Sequence, residues 1–341
     1  MNPGFFPLFE ALYEGQSLSQ AQSYDIFNDV MLGNIAQCEL TALLIALKLK
    51  GETSEEIAGA AKAMRDNAVA FSRPTYNFSD LVGTGGDGHN TINISSAAAV
   101  VAASCGIKVA KHGNRSVSSK SGSSDLFAGF GIKLDMTPSV ARKCLDETGI
   151  CFLAAPVYHT GVKHAMPVRL ALKTRTLFNV LGPLANPANP THGIYGVYDP
   201  KLVPIYAQTL LNLGHQNALV VHGSGLDEIA LHGPTQAIHV HNGELKEFTI
   251  SPADFGIQEA PLSAIKGDTP EYNVNAITQV FNGQGELAHT HAIAINAASL
   301  LWLHNSEVSL KVHFDTVMNS ISSKHPMDTI RHAARISQGE S

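Results

Sequence analysis

Charge is scarce in this 341-residue chain, where Asp, Glu, Lys and Arg together make up 15% of the residues, against about a quarter in an average soluble domain. What charge there is carries no basic excess. With 23 Lys and Arg against 29 Asp and Glu, the net charge of −6 argues against wholesale wrapping of nucleic acid or an anionic membrane, so any anion site must be local. Cysteine is also sparse: Cys38, Cys105, Cys144 and Cys151 include no C-x-x-C pair, which speaks against a disulfide scaffold or a zinc framework and suits a reduced cytosolic protein. No apolar run is long enough for a membrane span. The longest low-polarity stretch, Ile94 to Ile107, falls short of the roughly 20 residues a bilayer requires and reads as a buried helix. The N-terminal segment lacks a basic region and carries Glu10 and Glu14, so no export signal is expected and a cytoplasmic location follows.

What is present is ample apolar material, 44% of the chain, enough for one large domain or two moderate ones. Residues 1–72 read as helices, with apolar residues at helical spacing in Phe5, Leu8, Phe9 and Leu12 and again in Leu40, Leu43, Leu44 and Leu47. Thr53 and Glu56 form a capping-box signature that should open a helix through Ile57, Ala60, Ala61 and Met64. Ser72-Arg73-Pro74-Thr75 is a hinge candidate, because proline drives its predecessor out of helical geometry. Beyond it, short apolar runs at 80–82, 107–110, 150–155, 194–197, 218–221, 237–240 and 248–250 alternate with helical segments. That alternation predicts an α/β fold, a small N-terminal helical domain followed by a larger α/β domain with a mainly parallel central sheet flanked by helices. The expected division is 1–72, joined by helices from about 161–185, and 76–341.

Acid-free windows locate the anion chemistry. Residues 88–124 contain no Asp or Glu but include Lys108, Lys111, Arg115 and Lys120, and residues 148–198 contain none but include Lys163, Arg169, Lys173 and Arg175. The loop Gly83-Thr84-Gly85-Gly86-Asp87-Gly88 follows a predicted strand and precedes a predicted helix, where glycines let backbone N–H groups approach phosphate. It fits G-x-G-x-x-G, but a dinucleotide fold wants an acid about 20 residues on, and the next acid after Asp87 is Asp125. Asn93-Ile94-Ser95-Ser96 can cap the following helix or present oxygens to phosphate and metal. Lys111-His112-Gly113-Asn114-Arg115, with Ser118, Ser119, Ser121, Ser123 and Ser124 after it, is too polar for a core turn.

Asp227 and Glu228 follow an apolar run and a Gly-Ser-Gly turn, placing paired carboxylates at a strand end, which suits Mg²⁺ with bridging phosphates and, for the pair taken alone, equally an acidic surface turn. Two histidine pairs, His239/His241 and His289/His291, have the i, i+2 spacing that puts both rings on one face of a strand. A transition metal could use such pairs, but alternation on a solvated strand accounts for them equally, and no nearby Cys or carboxylate completes a coordination sphere.

Taken together, GTGGDG at 83–88, NISS at 93–96, KHGNRSVSSKSGSSD at 111–125, RTLFNVLGPLANP at 175–187 and GLDE at 225–228 resemble the anthranilate phosphoribosyltransferases over essentially the whole chain. The resemblance implies transfer of the phosphoribosyl group of phosphoribosyl pyrophosphate (PRPP) to anthranilate in tryptophan biosynthesis, with Mg²⁺, two ions per subunit, and a homodimer formed through the helical domain. It implies a PRPP site made of Gly83, Gly86, Asp87, Thr91, Asn93, Ile94, Ser95, Ser96, Lys111, His112, Gly113, Asn114, Arg115, Ser116, Val117, Ser118, Ser119 and Ser123. It assigns anthranilate to Gly83, Asn114 and Arg169, the metal to Ser95, Asp227 and Glu228, and catalysis to Lys111, Asn114 and Arg169. Three positions depart from the family pattern: Ser96 replaces Thr, Ala128 replaces Glu and Thr160 replaces Pro. Two alternatives share parts of the pattern, a pyrimidine nucleoside phosphorylase and a non-catalytic nucleic-acid-binding relative. The acidic pair and the RTLFNVLGPLANP segment argue against the first, and the net charge argues against the second.

Overall fold

The computed structural model describes residues 3–115 and 120–340. Four helices open the chain, Phe6–Tyr13, Gln20–Leu32, Gln37–Lys50 and Ser54–Asp66. Thr53 starts the fourth by the expected capping box, its hydroxyl accepting from the Glu56 amide at 3.3 Å and the Glu56 carboxylate accepting from the Thr53 amide at 2.8 Å. Glu56 does more than cap. It is fully buried, and its carboxylate also accepts from Leu18 N and Lys50 Nζ, both at 2.9 Å, which ties the helix to the chain before Gln20 and to the end of the preceding helix.

Residues 69–78 then run as irregular chain through the hinge candidate to the sheet. The strands are β1 (Ser79–Gly83), β2 (Val109–Gly113), β3 (Ile150–Ala154), β4 (His192–Gly196), β5 (Asn217–Gly223), β6 (Thr235–His241) and β7 (Glu244–Ile250). Their order in the sheet is β3-β2-β1-β4-β5-β6-β7, parallel as far as β5 and antiparallel for the last two. Chain order reverses at β1, which has β2 on one side and β4 on the other, and ligands of open α/β sheets settle outside the carboxyl ends of strands at such a point. β1 and β2 pair only at Ser79 and Val109. Beyond that register, Asn186 Nδ2 bridges the gap, donating to buried Asp80 and to Ala110 O at 2.8 Å each.

Alternation along the strands supplies two cores. Leu219 and Val221 face the helices Ile94–Ser104 and Leu287–His304, whereas Ala218 and Val220 face the helix Leu202–Asn212. The second core runs without a break from Tyr195, Val220 and Val240 through Tyr206 into Phe27, Leu44 and Ile57 of the opening helices, so burial of apolar surface holds the helical bundle against one face of the sheet.

Two local expectations need correction. His289 and His291 lie on the helix Leu287–His304, where i, i+2 residues point in different directions, so this pair cannot share a strand face. Of the two pairs, it is His239 and His241 that lie on a strand. Asn93 stands at the N-cap of Ile94–Ser104 without making a side-chain cap bond. Its Oδ1 instead accepts from Ser121 Oγ at 3.1 Å and Asn273 Nδ2 at 2.9 Å.

Candidate active site

A cavity of about 860 Å³ opens at the carboxyl ends of the parallel strands. Its floor is the glycine loop after β1. Gly85, Gly86 and Gly88 have φ of 70°, 80° and 80°, a backbone region that residues with a Cβ rarely enter. At the ends of β1 and β4, a Cβ on Gly83 would overlap the Asp227 carboxylate and one on Gly196 would overlap the Asp227 carbonyl. These glycines are required by close approach. The carboxylate is held there by Gly85 N, 2.6 Å from Oδ2, while Glu228 accepts from Ser95 N at 3.0 Å in the first turn of Ile94–Ser104.

Burial pushes the Asp227 and Glu228 carboxyls well above the ordinary carboxylate range, and the neighbouring charges of Asp87 on Asp227, and of Asp227 on Glu228, push the same way. A half-buried cluster of like charges is the environment a hard divalent cation relieves, and Asp227, Glu228 and the Ser95 hydroxyl are oxygen donors suited to Mg²⁺. Lys111 is buried on β2, where desolvation lowers its pKa and the charges of Asp80, Glu228 and Asp227 oppose that shift. His112, next along the strand, places its Nδ1 3.2 Å from Gly182 O and its ring edge-on to that of His159, with centroids 5.1 Å apart. Burial lowers both imidazole pKa values, His159 to about 4, so both rings are neutral at pH 7.

The other wall comes from residues 155–183, between β3 and β4. Arg169, on the helix Met166–Leu172, stands with its Cζ 5.0 Å from the Phe178 ring centre. Among the described residues it has no carboxylate partner, and desolvation lowers its pKa. Arg175 lies over Tyr198 at 4.0 Å and donates through Nη2 to the Gly86 carbonyl, fastening the glycine loop to this wall. The far side of the loop is held by a strap, with Ile92 N donating to Ile265 O at 3.1 Å, Gly267 N to Asn90 O at 2.8 Å and Lys266 Nζ to His89 O at 2.6 Å.

Every site residue expected from the sequence and described in the structure lines this one cavity. They are Gly83, Gly86, Asp87, Thr91, Asn93, Ile94, Ser95, Ser96, Lys111, His112, Gly113, Asn114, Arg115, Ser123, Arg169, Asp227 and Glu228. Ser116, Val117, Ser118 and Ser119 lie outside the described residues. Of the positions departing from the family pattern, Ser96 and Thr160 line the cavity, whereas Ala128 is exposed on the helix Ser123–Gly129 and does not. Sequence reasoning missed the roles of His159, Arg175 and Tyr198. Arg175 had a signal, as a base in the second acid-free window; Tyr198 had none.

The architecture and the site define a glycosyl transferase. The model of the glycosyl transferase family α/β domain matches residues 75–324, and that of the same family's helical bundle domain matches residues 7–68. The chain is 56% identical over 329 residues to the anthranilate phosphoribosyltransferase of Aeromonas hydrophila subsp. hydrophila, covering 96% of each chain. It is 52% identical over 323 residues to that of Yersinia pestis, covering 95% of this chain and 97% of the other. Among solved structures it is similar to anthranilate phosphoribosyltransferase from Thermus thermophilus, with a TM-score of 0.92 and 34% identity over 97% of this chain and 99% of that one. The Saccharomyces cerevisiae enzyme in complex with PRPP and Mg also gives a TM-score of 0.92, with 29% identity over 99% of both chains. The chain belongs to the anthranilate phosphoribosyltransferase family.

Proposed function

We infer that the cavity transfers the phosphoribosyl group of PRPP to the amine of anthranilate, giving N-(5-phosphoribosyl)anthranilate and pyrophosphate in tryptophan biosynthesis. One observation supports this most strongly: a half-buried carboxylate pair beside a glycine-lined cradle shares its cavity with Arg169, a guanidinium that has no acidic partner among the described residues. The first arrangement suits a metal-bound pyrophosphate, and the second suits the carboxylate of a benzoate.

In this reading Asp227, Glu228 and Ser95 would hold Mg²⁺, and with Asp87 beside them they offer donors for two ions. Bound there, Mg²⁺ supplies charge neutralisation to the departing pyrophosphate. The backbone N–H groups of the 83–88 loop, with Thr91, Asn93, Ser96 and Ser123, orient PRPP, and Lys111 adds a positive charge beneath it. Arg169 and Asn114 orient anthranilate so that its nitrogen stands within reach of the ribose carbon, replacing a bimolecular encounter with a positioned one. The aromatic amine is neutral and already has its lone pair, so no strong base is assigned. Its proton leaves after the carbon–nitrogen bond forms.

A homodimer through the helical bundle is part of the proposal. Phe6, Leu49 and Leu170 are 63%, 81% and 65% exposed on helices that pack beside one another, an apolar surface of the kind that subunits cover. The cytoplasm is the proposed location, in keeping with four free cysteines, and no helix among the described residues is long and apolar enough to cross a membrane. The test of the function is the loss of anthranilate fluorescence on adding PRPP to purified protein, with and without Mg²⁺. A Mg²⁺-dependent decay is expected; its absence would overturn the assignment.

A further inference from the structure

Asn93 stands at the N-cap position of Ile94–Ser104 and lines the catalytic cavity. A side-chain amide has an oxygen end that accepts and a nitrogen end that donates, so its orientation decides which of the two the cavity gains. A phosphate oxygen needs the donor. The choice is made outside the cavity, by Asn273 on the helix Pro270–Phe281. This residue is 1% exposed and is not part of the cavity lining.

The hydrogen bonds run in one direction. Asp268 N, a backbone group that can only donate, lies 3.0 Å from Asn273 Oδ1, which makes Nδ2 the free end of that amide. Nδ2 donates to Asn93 Oδ1 at 2.9 Å, and Ser121 Oγ donates to the same oxygen at 3.1 Å. With its oxygen taken twice, Asn93 has only its nitrogen to offer. Among the described residues that nitrogen has one acceptor, Ser121 O at 3.4 Å, and the second of its two hydrogens has none. The strap presses on the same amide: a Cβ on Gly267 would come within 2.7 Å of Asn273 Oδ1 and 2.5 Å of Thr91 O. Lys120, close after β2, pairs with Asp268, so the strap grips both phosphate-side segments, the one after β1 and the one after β2.

We propose that Asn273 is a positioning residue for the phosphoribosyl donor: it fixes the polarity of Asn93, so that the cavity is offered an N–H and not a carbonyl oxygen. The inference rests on the reading of the cavity as a PRPP site and adds to it a residue outside the cavity on which PRPP affinity depends. Were the Asn93 amide reversed, its oxygen would meet the oxygens of an anion, and repulsion would replace a charge-assisted hydrogen bond. The fixed polarity starts from a backbone N–H, which no rotation of a side chain can invert.

The test is calorimetric titration of the full chain with PRPP in the presence of Mg²⁺ and without anthranilate, on the unaltered chain, Asn273→Asp, Asn93→Ala and the double variant. Asn273→Asp keeps the shape and the acceptor for Asp268 N, but as a carboxylate it cannot donate to Asn93. We expect its affinity for PRPP, relative to the unaltered chain, to fall about tenfold at about pH 8. The deficit should shrink towards about pH 6, because burial raises the pKa of the introduced carboxyl and its hydroxyl, once protonated, donates in place of Nδ2. In the Asn93→Ala background the same substitution should alter affinity by no more than about twofold, since the amide it acts through is gone. Melting curves show that each variant is folded; damage to packing alone would weaken binding in both backgrounds and at both pH values. No binding by the unaltered chain would overturn the inference together with the reading it rests on. Binding that Asn273→Asp leaves unchanged, or weakens equally with and without Asn93, would overturn the inference alone.

Discussion

Replacing Arg169 with alanine separates recognition of anthranilate from every other task in the cavity. The guanidinium is desolvated, lies 5.0 Å from the Phe178 ring centre and has no acidic partner among the described residues. Its removal therefore breaks no ion pair seen in the fold. What is lost is the forked interaction with the substrate carboxylate, about 1.5–3 kcal/mol for a hydrogen bond to a charged group, or about a ten- to 150-fold rise in the anthranilate KM. Because that carboxylate carries the same charge in the ground state and the transition state, kcat should change little. The KM for PRPP should also hold. The assay is the initial rate of anthranilate fluorescence loss at saturating PRPP and Mg²⁺, with anthranilate varied, alongside a melting curve to show that the fold is intact. An unchanged anthranilate KM in a folded variant would refute the placement of the carboxylate at Arg169.

Three further outcomes follow from the geometry. The raised carboxyl pKa values of Asp227 and Glu228 mean that the folded chain holds more protons than the unfolded one, so without metal the stability should fall as pH rises above the unfolded carboxyl range near 4. Melting curves against pH should show this decline, Mg²⁺ should reverse it, and Asp227→Asn/Glu228→Gln should flatten it while abolishing Mg²⁺-dependent turnover. Arg175→Ala unfastens the glycine loop at Gly86 and should raise the KM for PRPP about fivefold, corresponding to one partly exposed hydrogen bond, with a smaller effect on anthranilate; steady-state kinetics with each substrate varied would check it. Glu56→Ala takes from Lys50 its carboxylate partner and strands the amides of Leu18 and Thr53, and should destabilise the protein by about 3–5 kcal/mol in denaturant titrations.

The glycine loop, the basic cluster at the end of β2 and the acidic pair were legible because each is a run of consecutive residues whose chemistry is local. GTGGDG needs positive φ, and Asp227-Glu228 places two charges in two residues. The strands were legible in type and approximate position because apolar runs alternate with helical segments, although β5 and β6 extend beyond those runs at both ends through polar residues such as Asn217 and His241. What could not be read is contact between distant segments. Arg175 meets Gly86 across 89 positions and Asn273 meets Asn93 across 180, and no periodicity encodes either. His289 and His291 misled because i, i+2 spacing has meaning only once the element is known, and the helix that carries them begins at Leu287. Asn93 has the residue type of an N-cap and the position of one, but tertiary partners take its side chain.

The two halves of the catalytic cavity have different genealogies along the chain. The phosphate-side residues are scattered over the loops that follow β1, β2 and β5, each fixed by the sheet, whereas Pro156, His159, Thr160, Lys163, Met166, Arg169, Arg175 and Phe178 all belong to one uninterrupted stretch that leaves β3 and returns as β4. Both ends of that stretch are moored in the sheet, so it behaves as a cassette. Exchanging it whole would offer a new acceptor to an unchanged donor apparatus, and Arg175, which fastens the cassette to Gly86, would have to travel with it for the two halves to keep their register.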